Sequence, residues 1–315
     1  MKACVIDKFG GRDRLTLTEL PTPEAGEGEV LIRIRAAGVD PVDWKIREGL
    51  LKENFPHEFP LILGWELAGV VETVGHSARR FSPGDEVYAY ARRPVIQKGT
   101  YAEYIALPES YVAAKPASLS LTEAASVPLT GLTAYQALFD NGRLAKGQSV
   151  LVMGASGGVG SSAVQLAAER GCRVIGLASG RRHDYVIGLG AQAFVDYTGG
   201  DFREQLRAIE PGGVDLVFDC VGGEVLDLGL DCLHPGGRLV SITEAIDTAR
   251  IGQRDITFGY TFVEPNVPQL NHIADLVAMG RFRTNVTQTY ALDEVARAHE
   301  QIETGHTRGK IVLEI

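Results

Sequence analysis

The stretch VLVMGASGGVG, at positions 150–160, constrains this chain more than any other. Its first four residues are apolar and suit one buried parallel strand, and Gly154, Gly157 and Gly160 follow at three-residue spacing. The next segment, SSAVQLAAERG, has helical periodicity, and its final glycine is the predicted C-cap. Such a turn brings backbone N–H groups close to a pyrophosphate at the positive end of a helix dipole. A second predicted strand, 173–178, follows immediately, so we favour a dinucleotide-binding turn over an ordinary tight turn.

Length, charge and cysteine content exclude several classes of protein. The 315 residues are enough for two domains, and the net charge of −9 argues against a nucleic-acid or anionic-membrane partner. No apolar run approaches the roughly 20 residues of a membrane span, and the first residues resemble a strand rather than a signal peptide. The four cysteines are dispersed and suit a reducing compartment. We therefore expect a cytoplasmic protein that binds neither membranes nor nucleic acid.

The chain changes character at about residue 119. Before it, short alternating runs such as 30–35 and 68–75 lie between Gly, Pro and Asp turns and predict a small, partly open β-barrel. After it, strands alternate with helices, which predicts an α/β fold with a doubly wound parallel sheet. The predicted strands are 150–153, 173–178, 194–197, 214–219, 237–242 and 310–315. The predicted helices are 160–170, 183–189, 201–209, 223–233, 268–279 and 293–303.

Several motifs in order resemble one family: AAGVDPVDWKIREG at 36–49, FPLILGWELAGVVETVG at 59–75, GTYAEY at 99–104, VPLTGLTAYQAL at 127–138, GASGGVG at 154–160 and HTRGKIVLEI at 306–315. The chain resembles the medium-chain dehydrogenase/reductase superfamily, and within it the zinc-free, NADPH-dependent quinone oxidoreductase-like branch, which includes enone and alkenal reductases. The resemblance implies a GroES-like barrel, residues 1–118 completed by about 268–315. It also implies a Rossmann domain that binds NADPH, residues 119–267.

Two positions argue against a zinc site. Zinc alcohol dehydrogenases of this superfamily place Cys after a Gly-Val pair and His in Gly-His-Glu, where this chain has Asp40 and Trp65. Trp cannot bind a metal, and a catalytic zinc ion needs about three converging ligands. Without that Lewis acid, hydride addition to a quinone or a conjugated C=C is less demanding, because ordinary hydrogen bonds can hold the resulting oxyanion.

The end of the second predicted Rossmann strand indicates which cofactor is used. NAD enzymes usually carry Asp or Glu there, to accept a hydrogen bond from the adenine ribose 2′-hydroxyl. This chain has Ser179, Arg181 and Arg182, and no acid before Asp184. Ser and paired Arg would bind a 2′-phosphate, so NADPH is favoured. The alternative is a solvated basic start of a helix.

Further cofactor contacts rest on the resemblance alone. Tyr197 would reach the 2′-phosphate, and Cys220 would pass near the nicotinamide ribose, although a small residue at a strand end is an equal explanation for it. The remaining residues implied to line the cofactor are Thr130, Ser156, Gly157, Gly158, Val159, Val221, Phe262, Val263 and Lys310.

The substrate residues are less constrained by the sequence. In relatives the loop and helix that contain Asp40, Asp43 and Lys45 face the nicotinamide, so these three are the catalytic candidates. Asp40 replaces a common Asn, and ionised Asp cannot donate a hydrogen bond. Either Asp40 is protonated, or Lys45 or a backbone N–H holds the substrate oxygen. Alternatively, Asp43 caps the helix and Lys45 is a solvated surface charge. Three aromatic residues are candidate pocket walls or core residues: Trp65, Tyr90 and Tyr260.

The leading functional hypothesis is an NADPH-dependent reductase of quinones or α,β-unsaturated carbonyl compounds. An enoyl-thioester reductase and an NADPH-binding sensor or structural protein without turnover remain as alternatives. The resemblance also implies a homodimer or homotetramer, with the run 255–260 pairing at the edge of the sheet across a two-fold axis.

Overall fold

The computed structural model describes residues 1–315, apart from the side chain of Thr248. It divides into two compact units, residues 1–129 with 264–315 and residues 130–263. Residues 119–129 and 264–267 therefore belong to the first unit, which differs from the domain boundaries predicted at 118 and 267. The reason is packing: the helix Leu121–Ala124 lies against three barrel strands, so the first helical turns after residue 119 complete the barrel.

The strands are β1 (Lys2–Ile6), β2 (Thr16–Glu19), β3 (Glu29–Val39), β4 (Leu61–Ile62), β5 (Glu66–Val74), β6 (Glu86–Tyr90), β7 (Tyr104–Pro108), β8 (Val112–Ala114), β9 (Ser149–Met153), β10 (Arg173–Ala178), β11 (Ala193–Asp196), β12 (Val214–Asp219), β13 (Leu233–Ser241), β14 (Ile256–Tyr260), β15 (Val286–Ala291) and β16 (Lys310–Glu314). The α-helices are α1 (Pro41–Arg47), α2 (Leu121–Ala124), α3 (Pro128–Tyr135), α4 (Gly158–Glu169), α5 (His183–Gly188), α6 (Phe202–Ile209), α7 (Gly223–Leu230), α8 (Thr248–Ile251), α9 (Val267–Ala278) and α10 (Val295–Glu303). Short 3-10 turns lie at Arg12–Arg14, Glu109–Tyr111, Gly180–Arg182 and Leu292–Glu294, and a π-helical turn at Gln136–Asn141.

The first unit contains two sheets. The larger has the order β15-β16-β3-β5-β6-β8, with β7 also paired to β3, and the smaller has the order β2-β1-β4. Strand β3 pairs antiparallel with β5 on one side and with β16 on the other. These three strands, which are far apart in sequence, therefore lie side by side. The edge strand β15 was missing from the sequence prediction, because its residues VTQTYA are mostly solvent-accessible and lack apolar alternation.

The second unit is the predicted doubly wound sheet. Its order is β11-β10-β9-β12-β13-β14, and all pairs are parallel. The chain winds outward from β9 in one direction and from β12 in the other, so these two strands form the switch point where ligands of such folds bind. Strand β14 lies at the edge, where the run 255–260 was expected.

Local boundaries differ from the predictions at a few places. The helix predicted to end at 233 ends at Leu230, and β13 begins at Leu233, because its first residue already pairs with Val214 of β12 across an irregularity. Helix α4 ends at Glu169, one residue before the predicted end, and the predicted capping residue Gly171 has a φ of +78°. Among the helices of the described chain, none has the length and apolarity needed to cross a bilayer.

Candidate active site

The glycine turn after β9 has the geometry that a dinucleotide phosphate requires. Gly154 has a φ of +79°, and the N–H of Gly157 donates to the carbonyl of Gly154 at 3.0 Å. A Cβ on Gly160 would stand 2.1 Å from the oxygen of Gly154, so only glycine fits where α4 meets the strand. The first N–H groups of α4 have no acceptor within the helix, and the residues around them are half-buried. The turn formed by Ser156, Gly157, Gly158 and Val159 therefore suits an anion.

The turn after β10 contains the residues predicted to hold a 2′-phosphate, together with one acid. Ser179 precedes the 3-10 turn that carries Arg181 and Arg182, and Tyr197, after β11, is half exposed. The N–H of Gly180 donates to Oδ1 of Asp196 at 2.8 Å. No acid follows the strand before Asp184, as the sequence shows, but the neighbouring parallel strand brings Asp196 to this turn.

A buried carboxylate shapes the turn after β12. Asp219 accepts hydrogen bonds from the N–H groups of Val221 and Gly222, both at 2.9 Å. Its other oxygen accepts from the hydroxyls of Ser241 at 2.7 Å and Thr243 at 2.9 Å. These bonds hold a turn in which Cys220 is partly buried and Val221 half exposed.

The remaining predicted cofactor residues of this unit lie at its two chain ends. Thr130 is its first residue and is buried within α3. Val263 is its last and is also buried, and Phe262 beside it is half-buried.

In the first unit, Lys310 lies between two carboxylates. Its Nζ is 2.5 Å from Oδ1 of Asp40 and 2.6 Å from Oε1 of Glu66, and it donates to the carbonyl of Val39 at 3.3 Å. Asp40 follows the end of β3, Glu66 begins β5 and Lys310 begins β16, so the pairing of these strands brings the three side chains together. All three are buried. The ammonium group thus donates hydrogen bonds to Asp40 and to the Val39 carbonyl and forms an ion pair with Glu66.

Gly38 makes room for this cluster. A Cβ at this position would stand 2.0 Å from Oε1 of Glu66, so the Glu66 side chain lies directly over the glycine. The second oxygen of Glu66 accepts from the N–H of Leu129 at 2.7 Å. This bond ties the segment after α2 to the barrel and agrees with its place in the first unit.

Asp43 extends the cluster toward α1. Its Oδ2 accepts from the N–H of Asp40, the residue before the helix, and from the hydroxyl of Tyr101, both at 2.8 Å. The expectation that Asp43 caps this helix is thus met, although the residue is fully buried. Burial and the nearby charge of Asp40 raise the pKa of Asp43 from 3.8 to about 7.

The charge balance of the cluster favours bound protons. Burial and then the charge of Asp40 raise the pKa of Glu66 well above its usual value, although Lys310 opposes this. Burial alone would lower the pKa of Lys310, but Asp40 and Glu66 reverse this effect and raise it. Because three buried carboxyl groups surround one ammonium group, Asp43 and Glu66 retain protons far more readily than exposed acids.

Lys45 is not the partner of Asp40 in this structure. Its Nζ lies 5.9 Å from the ring centroid of Trp44, and burial lowers its pKa, so it is not a solvated surface charge either. Among the candidate walls, Trp65 and Tyr90 are buried and meet edge to face at 6.3 Å, whereas Tyr260 lies exposed on the edge strand. The core interpretation therefore holds for the first two.

Sequence reasoning missed Glu66, Tyr101, Asp196 and Asp219 as site residues. Three of them carried a usable signal. Glu66 stands in Gly64-Trp65-Glu66, the motif that argued against zinc, Asp196 directly precedes Tyr197, and Asp219 directly precedes Cys220. Tyr101 acts through a tertiary contact with Asp43 and carried none.

Comparison with known proteins identifies the family. A protein-family model described as alcohol dehydrogenase GroES-like domain matches residues 26–117, and a second family model, described as zinc-binding dehydrogenase, matches residues 189–313. The chain is 33% identical to the mitochondrial NAD(P)H oxidoreductase RTN4IP1 of Danio rerio, covering 100% of this chain and 91% of that protein. It is also 33% identical to the chloroplastic NADPH-dependent alkenal/one oxidoreductase of Arabidopsis thaliana, covering 99% and 79%.

A solved structure agrees over the whole chain. The quinone oxidoreductase from Coxiella burnetii superposes with a TM-score of 0.90 at 35% identity, covering 100% of this chain and 99% of that one. The parallel sheet with its glycine turn, the barrel and these relatives lead to one assignment. The chain belongs to the medium-chain dehydrogenase/reductase superfamily, in its quinone oxidoreductase-like family of nicotinamide-dependent oxidoreductases.

Proposed function

We propose that this protein is a zinc-independent, NADPH-dependent reductase that delivers a hydride to quinones or to the C=C bond of α,β-unsaturated carbonyl compounds. The names of two relatives support this substrate class, since one is a quinone oxidoreductase and the other an alkenal/one oxidoreductase. The bound nicotinamide would supply the hydride, and the protein would supply alignment and the exclusion of water.

The observation that carries the proposal is the position of Lys310 between Asp40 and Glu66. A zinc ion bound here would need about three converging ligands, and the ammonium group already lies 2.5 and 2.6 Å from the two carboxylates. Over the described part of the chain, no group of three His, Cys, Asp or Glu side chains is arranged to hold a metal. The donor set therefore does not fit zinc, although one matching family model is described as zinc-binding.

The proposed preference for NADPH rests on the turn after β10. Ser179 and the guanidinium groups of Arg181 and Arg182 would hold the 2′-phosphate, with Tyr197 beside them. The glycine turn after β9 would bind the pyrophosphate through backbone N–H groups. The residues present thus suit the cofactor.

Hydride addition to an enone or a quinone leaves an oxyanion that must be held and protonated. Lys310 is a poor donor to this oxygen, because its ammonium group already donates to Asp40 and the Val39 carbonyl and forms an ion pair with Glu66. We assign Lys310 a positioning role at the end of β3. The proton would come from water or from a carboxylic acid of the cluster, since burial raises the pKa of Asp43 to about 7 and that of Glu66 well above its usual value.

The test follows NADPH absorbance in the presence of a small enone and of 1,4-benzoquinone. We expect oxidation of NADPH with at least one acceptor, slower reaction with NADH, and unchanged rates after dialysis against a chelator. NADPH binding without turnover of either acceptor would contradict the proposed reaction and favour a sensor or structural role. Loss of activity on chelation, restored by zinc, would contradict zinc independence alone.

We also propose a homodimer or homotetramer in a reducing, cytoplasmic compartment. Strand β14 presents an unpaired side at the edge of the parallel sheet, which supports pairing with a second copy. The four cysteines have free thiols. The N–H of Thr261 and the carbonyl of Asp255 point to β13, so by alternation the N–H of Tyr260 points to the free edge. Light scattering of wild type and of Tyr260→Pro, which removes this outward N–H, distinguishes the assemblies. A wild-type monomer would contradict the oligomer.

A further inference from the structure

A carboxylate lies inside the group of residues proposed to bind the 2′-phosphate. Asp196 ends β11, and its Oδ1 accepts the N–H of Gly180, which stands between Ser179 and Arg181. Asp196 also directly precedes Tyr197. An anion bound by Ser179, Arg181 and Tyr197 therefore has to approach this carboxylate.

The position of the carboxylate is fixed by its neighbours. Oδ1 also accepts from the N–H of Thr198 at 2.8 Å and from its hydroxyl at 2.6 Å. Oδ2 lies over Gly180, since a Cβ there would stand 2.3 Å from it. Glycine at position 180 thus permits the carboxylate to reach across from the next strand.

Asp196 remains ionised when the cofactor would bind. Hydrogen bonds from the Thr198 hydroxyl, then from the N–H groups of Thr198 and Gly180, lower its pKa. A second acid beside it could share a proton, but the groups that bond to this carboxylate are hydroxyl and amide donors. Its negative charge therefore persists at neutral pH.

We propose that Asp196 is a specificity-determining residue of the cofactor site: its carboxylate opposes the 2′-phosphate of NADPH and is compatible with the 2′-hydroxyl of NADH. The inference rests on the proposed cofactor site. It implies that Arg181 and Arg182 act against a fixed opposing charge, so that the enzyme accepts NADH with an affinity closer to that for NADPH than the arginine pair alone would give.

The size of the effect follows from Coulomb's law. In a largely aqueous setting, a carboxylate and a phosphate dianion held at the same turn repel by an amount worth up to about tenfold in affinity. The interaction is screened by salt, because the turn is accessible to solvent. Both the size and the salt dependence can be measured in binding experiments without turnover.

The experiment compares wild type, Asp196→Asn and Asp184→Asn by fluorescence titration with NADPH and with NADH. Asn keeps a carbonyl oxygen for the N–H groups of Gly180 and Thr198. Asp184 is the matched control, since it lies in the same region, carries the same charge and is fully exposed beside His183. We expect Asp196→Asn to tighten NADPH binding about tenfold at low salt, leave NADH within about twofold, and lose most of the gain at high salt.

Asp184→Asn should change both affinities by less than about twofold. Asp196→Ser serves as a second neutral variant if the Asn variant folds poorly, as judged by its thermal midpoint. The inference is overturned if neither neutral variant raises the ratio of NADPH to NADH affinity, or if the control raises it equally. A wild type that prefers NADH, with the ratio still raised by Asp196→Asn, would contradict the proposed NADPH preference and support the inference.

Discussion

The candidate sites of the two units depend on different interactions. In the barrel unit, Asp40, Glu66 and Lys310 are all buried, and each depends on a charged partner from another strand. In the parallel-sheet unit, the cofactor turn depends on backbone geometry at Gly154 and Gly160 and uses no buried charge. The barrel site is therefore stabilised by ion pairing at low dielectric, whereas the glycine turn of the parallel-sheet unit depends on the absence of side chains at these two positions.

This difference determines how each site fails. A buried ion that loses its partner is left uncompensated, and the cost appears as lost stability even without a ligand. A glycine turn that gains a Cβ is strained, and the cost appears in stability and in anion binding together. Single substitutions that remove a charged partner or add a Cβ can therefore distinguish the two kinds of site.

The largest effect should follow Lys310→Met. The change leaves Asp40 and Glu66 facing each other without a cation, so we expect a loss of about 4 kcal/mol in the free energy of unfolding. Urea denaturation without cofactor measures it. The matched control is the double variant Lys310→Met/Glu66→Gln, which also replaces Glu66 by a neutral amide and should recover about half of the loss. Equal stability of the single and double variants would mean that Glu66 is protonated once Lys310 is absent, and a single variant as stable as wild type would mean that the ion pairs contribute little.

Gly160→Ala should have the next largest effect. Its Cβ would stand 2.1 Å from a backbone oxygen, which cannot move aside as a side chain can, so we expect a loss of about 3 kcal/mol and no measurable NADPH binding. Gly157→Ala is the control, because its Cβ would meet nothing closer than 3.5 Å. Thermal melts of both variants provide the comparison of stability, and similar losses of stability in both would count against steric crowding at Gly160. NADPH titration of Gly160→Ala measures the loss of binding.

The two sites also differ in how far the sequence predicts them. The glycine turn was predictable because its geometry is set by consecutive residues, and strand, turn and helix follow one another at 150–169. The ion cluster was only partly predictable. Both Asp40 and Lys310 were named as site residues. Their pairing depends on the register of β16 on β3, which a single amino-acid sequence does not reveal.

Asp196 repeats this lesson inside the more predictable unit. The argument from the end of β10 considered only residues that follow that strand in the chain. The acid that contacts Gly180 comes from the next parallel strand, after a helix. Local rules thus predict the backbone of a site better than its charges, because charges act through space.

A smaller effect should appear in the pH dependence of stability. The folded-state pKa of Asp43 is raised to about 7, so its stabilising contribution is fully present below pH 4 and is lost as the pH rises toward 7. Asp43→Asn keeps acceptors for Tyr101 and the Asp40 N–H but cannot ionise. Relative to wild type, we expect it to gain about 2 kcal/mol between pH 5 and pH 7. Urea denaturation at each pH measures the difference, and parallel stability curves would show that Asp43 ionises normally in the folded protein.

The smallest effect should follow Asp219→Asn, the counterpart in the parallel-sheet unit of the charged cluster. Four neutral donors, two N–H groups and two hydroxyls, surround this carboxylate. Asn still accepts from the N–H groups of Val221 and Gly222, and the hydroxyls of Ser241 and Thr243 can rotate to accept from its amide. We therefore expect a loss of only about 1 kcal/mol, since charged hydrogen bonds become neutral ones, whereas Asp219→Ala should cost about 3 kcal/mol by leaving buried donors unpaired. Asp219→Asn could instead lower the free energy of unfolding as much as Lys310→Met does. A carboxylate held by neutral donors would then depend on its charge as strongly as one in an ion pair, and the contrast between the units would not hold.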